Sequence, residues 1–339
     1  MTDGASAEEA GPSDPETGRK DDEADRRSDG TDRRVERRSP DETFELLANE
    51  VRVEILRALG DDPRETLGFS ELHDRVDIAD SGNFNYHLDR LVGAFVRKVG
   101  DGSDGDADTG ESGGGRDGAG YELTRAGQQI VGAMYAGTYT TDAAVEPISA
   151  GWDCLLCSGE MVVGYADERA HFWCSACDEG AKFSFPPGTV DQFDRDELPG
   201  AFARWYHHLM TRLFHGFCGV CAGRMDGEFV RLPGGTERNP ETSLLQFTCQ
   251  RCGTVASSAA ETLATFHPVA QGFFAEHGFD VSARHPTQMW GELDACDVEI
   301  LSEEPPRMEV RFGHDGEEVR AVVEPDATVG QVERRSRQD

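Results

Sequence analysis

The first apolar pattern in the chain has helical spacing and begins after a long polar segment. Residues 1–40 contain almost no large apolar side chains, so they are predicted to form a disordered tail. From Pro40 to Leu59, apolar residues recur every three or four positions, which predicts one helix. Two further helices are predicted, a short one over 70–76 with Ser70 as its N-cap and a longer one over 81–93.

Two short strand-like runs follow the third helix, at 95–99 and 121–123. The segment 101–120 between them holds eight glycines and six acids, so we predict a flexible acidic insert at the tip of a hairpin. Thr124 then caps a helix that runs to about Tyr135. Helices and a hairpin in this order predict a winged helix-turn-helix domain over 41–138.

An internal repeat occupies the middle of the chain. Each copy holds two CxxC motifs, spaced CxxC-x16-CxxC in the first and CxxC-x27-CxxC in the second, and a helical stretch follows each copy. Beyond them, alternation over 297–323 predicts strands joined by a turn at His314-Asp315-Gly316, and the polar tail from about Val332 is expected to fray. The predicted segments are a first zinc ribbon at 150–187, a helical connector at 188–216, a second zinc ribbon at 217–258 and a helix-plus-strand region at 259–331.

The predicted fold class is therefore α+β and multidomain. A winged helix-turn-helix is followed by two four-cysteine zinc ribbons with intervening helices and by a small α/β carboxy-terminal region. Five aromatic residues of the first ribbon are interpreted as its core and packing face, in preference to a base-stacking platform: Trp152, Phe172, Trp173, Phe183 and Phe185. Three histidines after that ribbon are interpreted as packing and surface residues: His207, His208 and His215.

Eight of the nine cysteines are candidate metal ligands. They are Cys154, Cys157, Cys174, Cys177, Cys218, Cys221, Cys249 and Cys252. Zn²⁺ prefers four thiolates in a tetrahedron, and one CxxC turn supplies two of them, so we predict two structural zinc sites with no open coordination position. Iron would fit the same sulfurs, and the sequence does not distinguish the two metals. Disulfides are disfavoured in a reducing cytosol, and the ninth cysteine, Cys296, is expected to be a buried apolar residue.

The helix predicted over 81–93 is the candidate nucleic-acid-reading element. Phe84, Leu88 and Leu91 lie on its apolar side, so its polar side is available to a ligand. Asparagine pairs with adenine, and arginine pairs with guanine or contacts phosphate. The small residues at Ser81 and Gly82 would let the helix amino terminus, whose dipole favours an anion, approach the phosphate backbone.

Four stretches of this part match a known regulator pattern: 46–56, 69–72, 83–91 and 120–127, the third with a His-Leu-x-x-Leu ending. They resemble the ArsR-type winged-helix repressors over 41–138, and the whole arrangement looks like haloarchaeal ArsR-type regulators that carry zinc ribbons. The resemblance implies a homodimer formed through helix 124–135. It also implies DNA contacts from six residues: Ser81, Asn83, Asn85, Tyr86, His87 and Arg90. The soft-metal-sensing members carry cysteines near Glu71, and this chain has none there, so metal sensing is not implied.

Charge changes this interpretation in two ways. The chain has 65 acidic and 33 basic residues and only three lysines, giving a net charge of −32. This balance excludes a basic nucleic-acid coat and a membrane-surface helix, and we expect a cytoplasmic protein without a membrane partner. Acidity with little lysine is typical of haloarchaeal proteins that work in molar salt, where charges are screened over about 3 Å. The alternative is an acidic mesophilic protein with a disordered acidic tail.

The leading hypothesis is a sequence-specific transcriptional regulator that binds double-stranded DNA. No nucleophile elbow, phosphate loop or open metal site is apparent, so no enzymatic activity is predicted. Residues 41–100 hold 13 acids and 7 bases, which argues against DNA binding in dilute salt and less so in molar salt. The alternatives are a zinc-ribbon adaptor of the transcription machinery and, more weakly, a redox or metal sensor. The sequence predicts neither the operator nor any small-molecule effector.

Overall fold

The computed structural model describes residues 38–100, 120–177, 179–231 and 243–336. The predicted tail lies almost entirely outside these ranges, and so does the acidic insert, except for residues 38–40 and 120. The amino-terminal elements are α1 Pro40–Glu45, α2 Glu50–Gly60, α3 Phe69–Asp74, α4 Ser81–Leu91, β1 Val96–Val99, β2 Gly120–Leu123 and α5 Arg125–Tyr135.

The first predicted helix is in fact two helices. Asn49 adopts an extended conformation between α1 and α2, and its side chain accepts a hydrogen bond from the Arg52 backbone N–H at 3.2 Å. Asparagine competes in this way with helical backbone bonds, so it begins a new helix here instead of continuing the old one. The prediction for α3 was also wrong in detail, because Gly68 and not Ser70 occupies its N-cap position and the helix ends at Asp74.

Helices α2 to α5 and the β1–β2 hairpin enclose one hydrophobic core. Phe84, Leu88 and Leu91 of α4 are fully buried in it, as their spacing predicts. The hairpin is antiparallel, with Val96 opposite Leu123. The predicted Thr124 cap is confirmed, since its hydroxyl accepts from the Gly127 N–H at 3.2 Å.

The remaining chain forms three antiparallel sheets and several helices, with strand orders β3-β4-β5-β6, β7-β8-β9 and β10-β11-β12-β13. The elements are β3 Val145–Asp153, β4 Glu160–Ala166, β5 Arg169–Cys174, β6 Gly180–Ser184, a 3-10 helix Pro187–Gln192, α6 Leu198–Phe214, β7 Met225–Arg231, β8 Ser243–Cys249, β9 Val255–Ser258, α7 Ala260–Thr265, α8 Pro268–Glu276, α9 Pro286–Trp290, β10 Ala295–Glu303, β11 Pro306–His314, β12 Glu317–Val323 and β13 Val329–Ser336. Each of the first two sheets carries one copy of the cysteine repeat.

These three sheets share a single core, which extends from Val163 to Ala327. Helix α6 joins the first two sheets, because Phe202 contacts Phe185 with ring centroids 4.9 Å apart and Phe214 contacts Phe247 at 5.8 Å. The segments predicted as separate modules therefore pack as one unit.

The end of the chain differs most from its prediction. The tail expected to fray from Val332 is part of β13, which continues to Ser336. Arg334 holds this strand in place through ion pairs with Glu276 of α8, at 2.7 Å, and with Glu317 of β12. The turn at Asp315 and Gly316 is confirmed, and both residues have the positive φ that a tight hairpin requires. Within the described ranges, no helix has both the length and the apolar character needed to cross a bilayer.

Candidate metal centres and nucleic-acid interface

The eight predicted ligands come together as two four-cysteine clusters. In each, the four Sγ atoms lie within 4.8 Å of one another. In the first cluster Cys154 and Cys177 are 3.8 Å apart and Cys157 and Cys174 are 3.4 Å apart. The corresponding distances in the second are 3.7 Å for Cys218 and Cys252 and 3.5 Å for Cys221 and Cys249. A tetrahedron with metal–sulfur bonds of about 2.3 Å has edges of about 3.8 Å, so both clusters have the dimensions of a metal site with four thiolate ligands.

The two clusters use the same knuckle turn. The residue after the second cysteine, Ser158 in one knuckle and Ala222 in the other, has a positive φ of 58° and 54°. The glycine that follows then faces the sulfurs. A Cβ atom on Gly159 would lie 2.9 Å from Cys174 Sγ, and one on Gly223 would lie 3.0 Å from Cys249 Sγ. The glycine is needed at this position because any larger residue would contact the sulfurs.

Backbone N–H groups point at the sulfurs and stabilise their thiolate form. Ala176 donates to Cys174 Sγ and Arg251 donates to Cys249 Sγ, both at 3.4 Å. The Ala176 N–H lowers the pKa of Cys174 to about 7. In the second cluster the Thr254 hydroxyl lies 3.1 Å from Cys252 Sγ and lowers the pKa of that thiol to about 6. Sequence reasoning missed Thr254, although its place two residues after a cysteine matches that of the N–H donors.

Cys296 lies apart from both clusters. It is half-buried on β10, beside the shared core, and burial raises the pKa of its thiol. It is therefore less buried than predicted, and its raised pKa makes it a poor nucleophile.

The aromatic residues of the first ribbon fall on two faces of its sheet. Phe172, Phe183 and Phe185 are buried in the core, as predicted. Trp173 follows Phe172 in β5 and therefore points to the opposite face. The predicted packing role thus holds for the phenylalanines, whereas Trp173 does not belong to the shared core.

The three histidines near α6 are in the environments that were predicted. The His207 ring stacks on Phe266 with centroids 4.8 Å apart, whereas His208 and His215 are exposed. Burial lowers the pKa of His207. None of the three belongs to a potential metal cluster in the described part of the chain.

The polar side of α4 is exposed along its length. Ser81, Asn83, Asn85, Tyr86 and Arg90 are all exposed, and Tyr86 retains 58% of its accessible surface. Asn85 is engaged within the helix, because its amide donates to the Asp89 carboxylate at 3.0 Å. Asp89 also lies 3.9 Å from the Lys98 ammonium of β1.

His87 differs from the other five predicted contacts, because it is half-buried. Its Nδ1 atom is buried and has no hydrogen-bond partner among the described residues. Burial and the nearby Arg52 guanidinium lower its pKa, so the ring is neutral at pH 7. His87 therefore lies at the margin of the exposed α4 surface.

The amino terminus of α4 is capped by an anion from the chain itself. The Asp80 carboxylate accepts from the backbone N–H groups of Gly82, at 2.8 Å, and Asn83, at 3.3 Å. Sequence reasoning assigned this position to a DNA phosphate and missed Asp80, although aspartate before a helix is a common cap. A phosphate could approach the helix start only next to this carboxylate.

Comparison with known proteins places the chain in a family. Residues 151–329, more than half of the chain, match a family model described as a domain of unknown function, DUF7351. The chain belongs to the DUF7351 family. The DUF7351 segment contains both cysteine clusters and the strands of the shared core, apart from residues 145–150 of β3 and 330–336 of β13. Residues 40–134 match a second model, also described as a domain of unknown function, DUF7347. No curated protein and no solved structure matches the chain.

Proposed function

We propose that residues 40–135 form a winged helix-turn-helix that reads the major groove of double-stranded DNA, and that the protein is a transcriptional regulator. The observation that carries the proposal is the two-sided character of α4. One side of this helix is fully buried, and the other exposes side chains that hydrogen-bond to base edges and phosphates. The β1–β2 hairpin that follows α4 has the position of the wing.

The acidic character of the domain sets the conditions for binding. On the α4 surface, Asp89 is already hydrogen-bonded to Asn85 and faces Lys98, so part of its charge is balanced. In molar salt, the release of counterions contributes little to affinity. Base contacts and packing by Tyr86 and Arg90 would then provide most of the binding energy.

Zinc is the metal that we propose for both clusters. Zinc prefers a closed tetrahedral set of four cysteines with N–H groups directed at the sulfurs, although iron can use the same ligands. The ion would cross-link the two knuckles of each ribbon, and the closed coordination leaves no position for a substrate. Its proposed role is therefore structural.

A homodimer formed through α5 would present two α4 helices to a two-fold symmetric operator. Helix α5 contains no acidic residue, and its exposed positions include Gln128, Gln129 and Tyr135. A surface of this kind can approach its own copy without like-charge repulsion, in contrast to most of the chain. Light scattering of the purified protein would measure the oligomeric state.

The test of DNA reading compares two matched double variants. Tyr86→Ala/Arg90→Ala changes the α4 surface, whereas Tyr139→Ala/Arg195→Ala removes the same residue types from exposed positions elsewhere. Fluorescence anisotropy with promoter fragments of the source genome, in about 2–3 M KCl, measures the affinity. The first variant should lose selective binding by about tenfold or more, and the control should bind as the wild type does. Equal binding by both variants, or no selective binding by the metal-loaded wild type, would refute the proposal.

A second candidate function is supported by the knuckles. Leu155 and Leu156 lie inside the first CxxC turn of the first cluster and Val220 lies inside the first CxxC turn of the second cluster, and all three are exposed, Val220 to 75%. Exposed apolar side chains at both knuckle tips favour contact with a protein, as an adaptor of the transcription machinery would need. If this is correct, Leu155→Ser/Leu156→Ser/Val220→Ser loses binding to purified RNA polymerase, whereas Tyr86→Ala/Arg90→Ala retains it.

A further inference from the structure

The outward face of the first ribbon sheet carries cations and an aromatic ring. In β5, alternate residues point away from the core, and they are Arg169, His171 and Trp173. Lys182 of β6 lies directly opposite His171 on the same face. We call these four residues the ribbon face. Their core-facing neighbours Ala170, Phe172 and Phe183 are buried, which fixes the direction of the ribbon-face side chains.

The half-buried Trp173 indole reaches over strand β4. A Cβ atom on Gly164 of β4 would lie 3.0 Å from the indole Cη2 atom, so only glycine allows the ring to lie over this strand. The His171 ring stands beside it with centroids 6.0 Å apart. Burial and the nearby Lys182 lower the pKa of His171, so this ring is neutral at pH 7. The ribbon face therefore presents two uncharged rings in a row with two cations, with Lys182 opposite His171 and Arg169 at the other end of β5 from Trp173.

The two cations of the ribbon face have no acidic partner within the described ranges. Arg169 and Lys182 are both exposed, and neither forms an ion pair with any described residue. The chain has three lysines, of which Lys98 is paired with Asp89. Acidic residues lie at the ends of the strands, at Asp167 and Glu168 near Arg169 and at Glu179 before β6.

Helix α6 lies next to the β6 edge of the same sheet. The Trp205 indole of α6 donates to the Ser184 carbonyl of β6 at 2.7 Å, which joins the helix to this edge. Within α6 the two exposed residues are Arg204 and His208, and the helix contains no acidic residue. Helix α6 therefore adds basic and no acidic side chains near the β6 edge, while its rings pack on the core-facing side of the sheet.

We propose that the ribbon face binds single-stranded nucleic acid. A base would stack on Trp173, and successive phosphates of a strand that runs along β5 would contact Lys182 and then Arg169. Single strands are bound by exposed rings interleaved with cations, because every base offers a π-face once it is unstacked. A duplex offers no such face to a flat sheet, so the ribbon face should prefer single strands. This site is independent of α4 and lies within the DUF7351 segment.

The test uses the full-length zinc-loaded protein and two fluorescein-labelled probes of about 20 nucleotides, oligo-dT and oligo-U, in about 0.3–2 M KCl. Trp173→Leu should weaken binding by about tenfold. Lys182→Gln/Arg169→Gln should reduce the slope of log affinity against log salt by about 1.4, since each phosphate contact on a single strand contributes about 0.7. The tighter of the two probes identifies the ligand as DNA or RNA.

Two controls separate this proposal from others. Arg57→Gln/Arg195→Gln removes two exposed arginines that form no ion pair with a described residue and lie outside the ribbon face, and it should leave affinity and slope unchanged. Tyr86→Ala/Arg90→Ala should bind oligo-dT or oligo-U as the wild type does while losing affinity for the promoter duplex. The experiment therefore tests single-strand binding by the ribbon face separately from duplex binding by α4. The proposal is overturned if neither probe binds saturably, if an unlabelled duplex competes as well as the single strand, or if the arginine control loses as much as the ribbon-face double variant. The charge variants keep the test decisive should Trp173→Leu not fold.

Discussion

A buried histidine should make the stability of the protein depend on pH. His285 precedes α9 and is only 5% exposed. It lies among the rings of Phe172, Tyr206 and Trp152, with centroid distances of 4.4, 4.8 and 6.0 Å. Its Nδ1 lies 2.8 Å from the Thr287 hydroxyl, and its buried Nε2 has no partner among the described residues. Burial lowers the pKa of this ring from 6.5 to about 3.

The sign and size of the effect follow from proton linkage. The unfolded chain binds a proton at His285 below about pH 6.5, whereas the folded chain does not do so until about pH 3. Protonation of the unfolded chain therefore lowers the free energy of unfolding as the pH falls through 6.5. The full free energy of unfolding that goes with a neutral, buried His285 is present only above that pH. Between pH 7 and pH 5, His285 alone lowers the free energy of unfolding by about 2 kcal/mol, because the slope approaches about 1.4 kcal/mol per pH unit.

The assay is urea unfolding of wild type and His285→Phe at several pH values in constant KCl and zinc. Other histidines and the cysteine clusters titrate in both proteins, so the difference between their pH slopes isolates His285. Between pH 7 and pH 5, the free energy of unfolding should fall by about 2 kcal/mol more in the wild type than in the variant. Parallel pH profiles would refute the reasoning, because they would show that the ring is solvated or paired in the folded protein.

Three further predictions concern the metal centres and the charge. Gly159→Ala should weaken zinc binding by about 10- to 100-fold in a chelator competition, because its Cβ would lie 2.9 Å from Cys174 Sγ, whereas Gly219→Ala, which meets no atom within 4 Å, should not. Cys174→Ser should reduce the bound metal from two ions per chain to one by elemental analysis, and Cys296→Ser should leave two. The thermal midpoint should rise between about 0.2 and 3 M KCl, because salt screens the repulsion within a chain of net charge −32, and a flat or falling midpoint would contradict the halophilic interpretation.

The metal ligands could be predicted from sequence because their geometry is local. A CxxC turn places two thiolates on one knuckle whatever the surrounding fold, so the spacing alone selects the eight cysteines. The apolar side of α4 and the Thr124 cap are local in the same sense. The break between α1 and α2 was missed because apolar periodicity continues across it, and only the Asn49 side chain marks the new start.

Features that depend on distant contacts were not predictable in the same way. Strand β13 is held by ion pairs from Arg334 to Glu276 and Glu317, residues whose proximity only the tertiary fold creates. The common core depends on pairs such as Phe214 with Phe247, which the repeat itself does not indicate. The orientation of Trp173 is a different case, because adjacent strand residues must point to opposite faces. With Phe172 assigned to the core, the period of two already required Trp173 to face outward.

The distribution of charge connects the two proposed nucleic-acid surfaces. In a chain with about twice as many acids as bases, an exposed base without an ion pair is not explained by a shortage of acidic partners. Arg90 on α4 and Lys182 on the ribbon face are such bases among the described residues, but so are Arg57 and Arg195. What distinguishes the first two is that each lies beside a ring within a proposed binding surface, Tyr86 one helical turn before Arg90 and the His171–Trp173 pair beside Lys182. If cations alone determined binding, the control variant Arg57→Gln/Arg195→Gln would weaken it as much as the ribbon-face variants do. Binding that is lost with the rings but kept in the arginine control would show that the ring-containing surfaces, and not positive charge alone, determine binding.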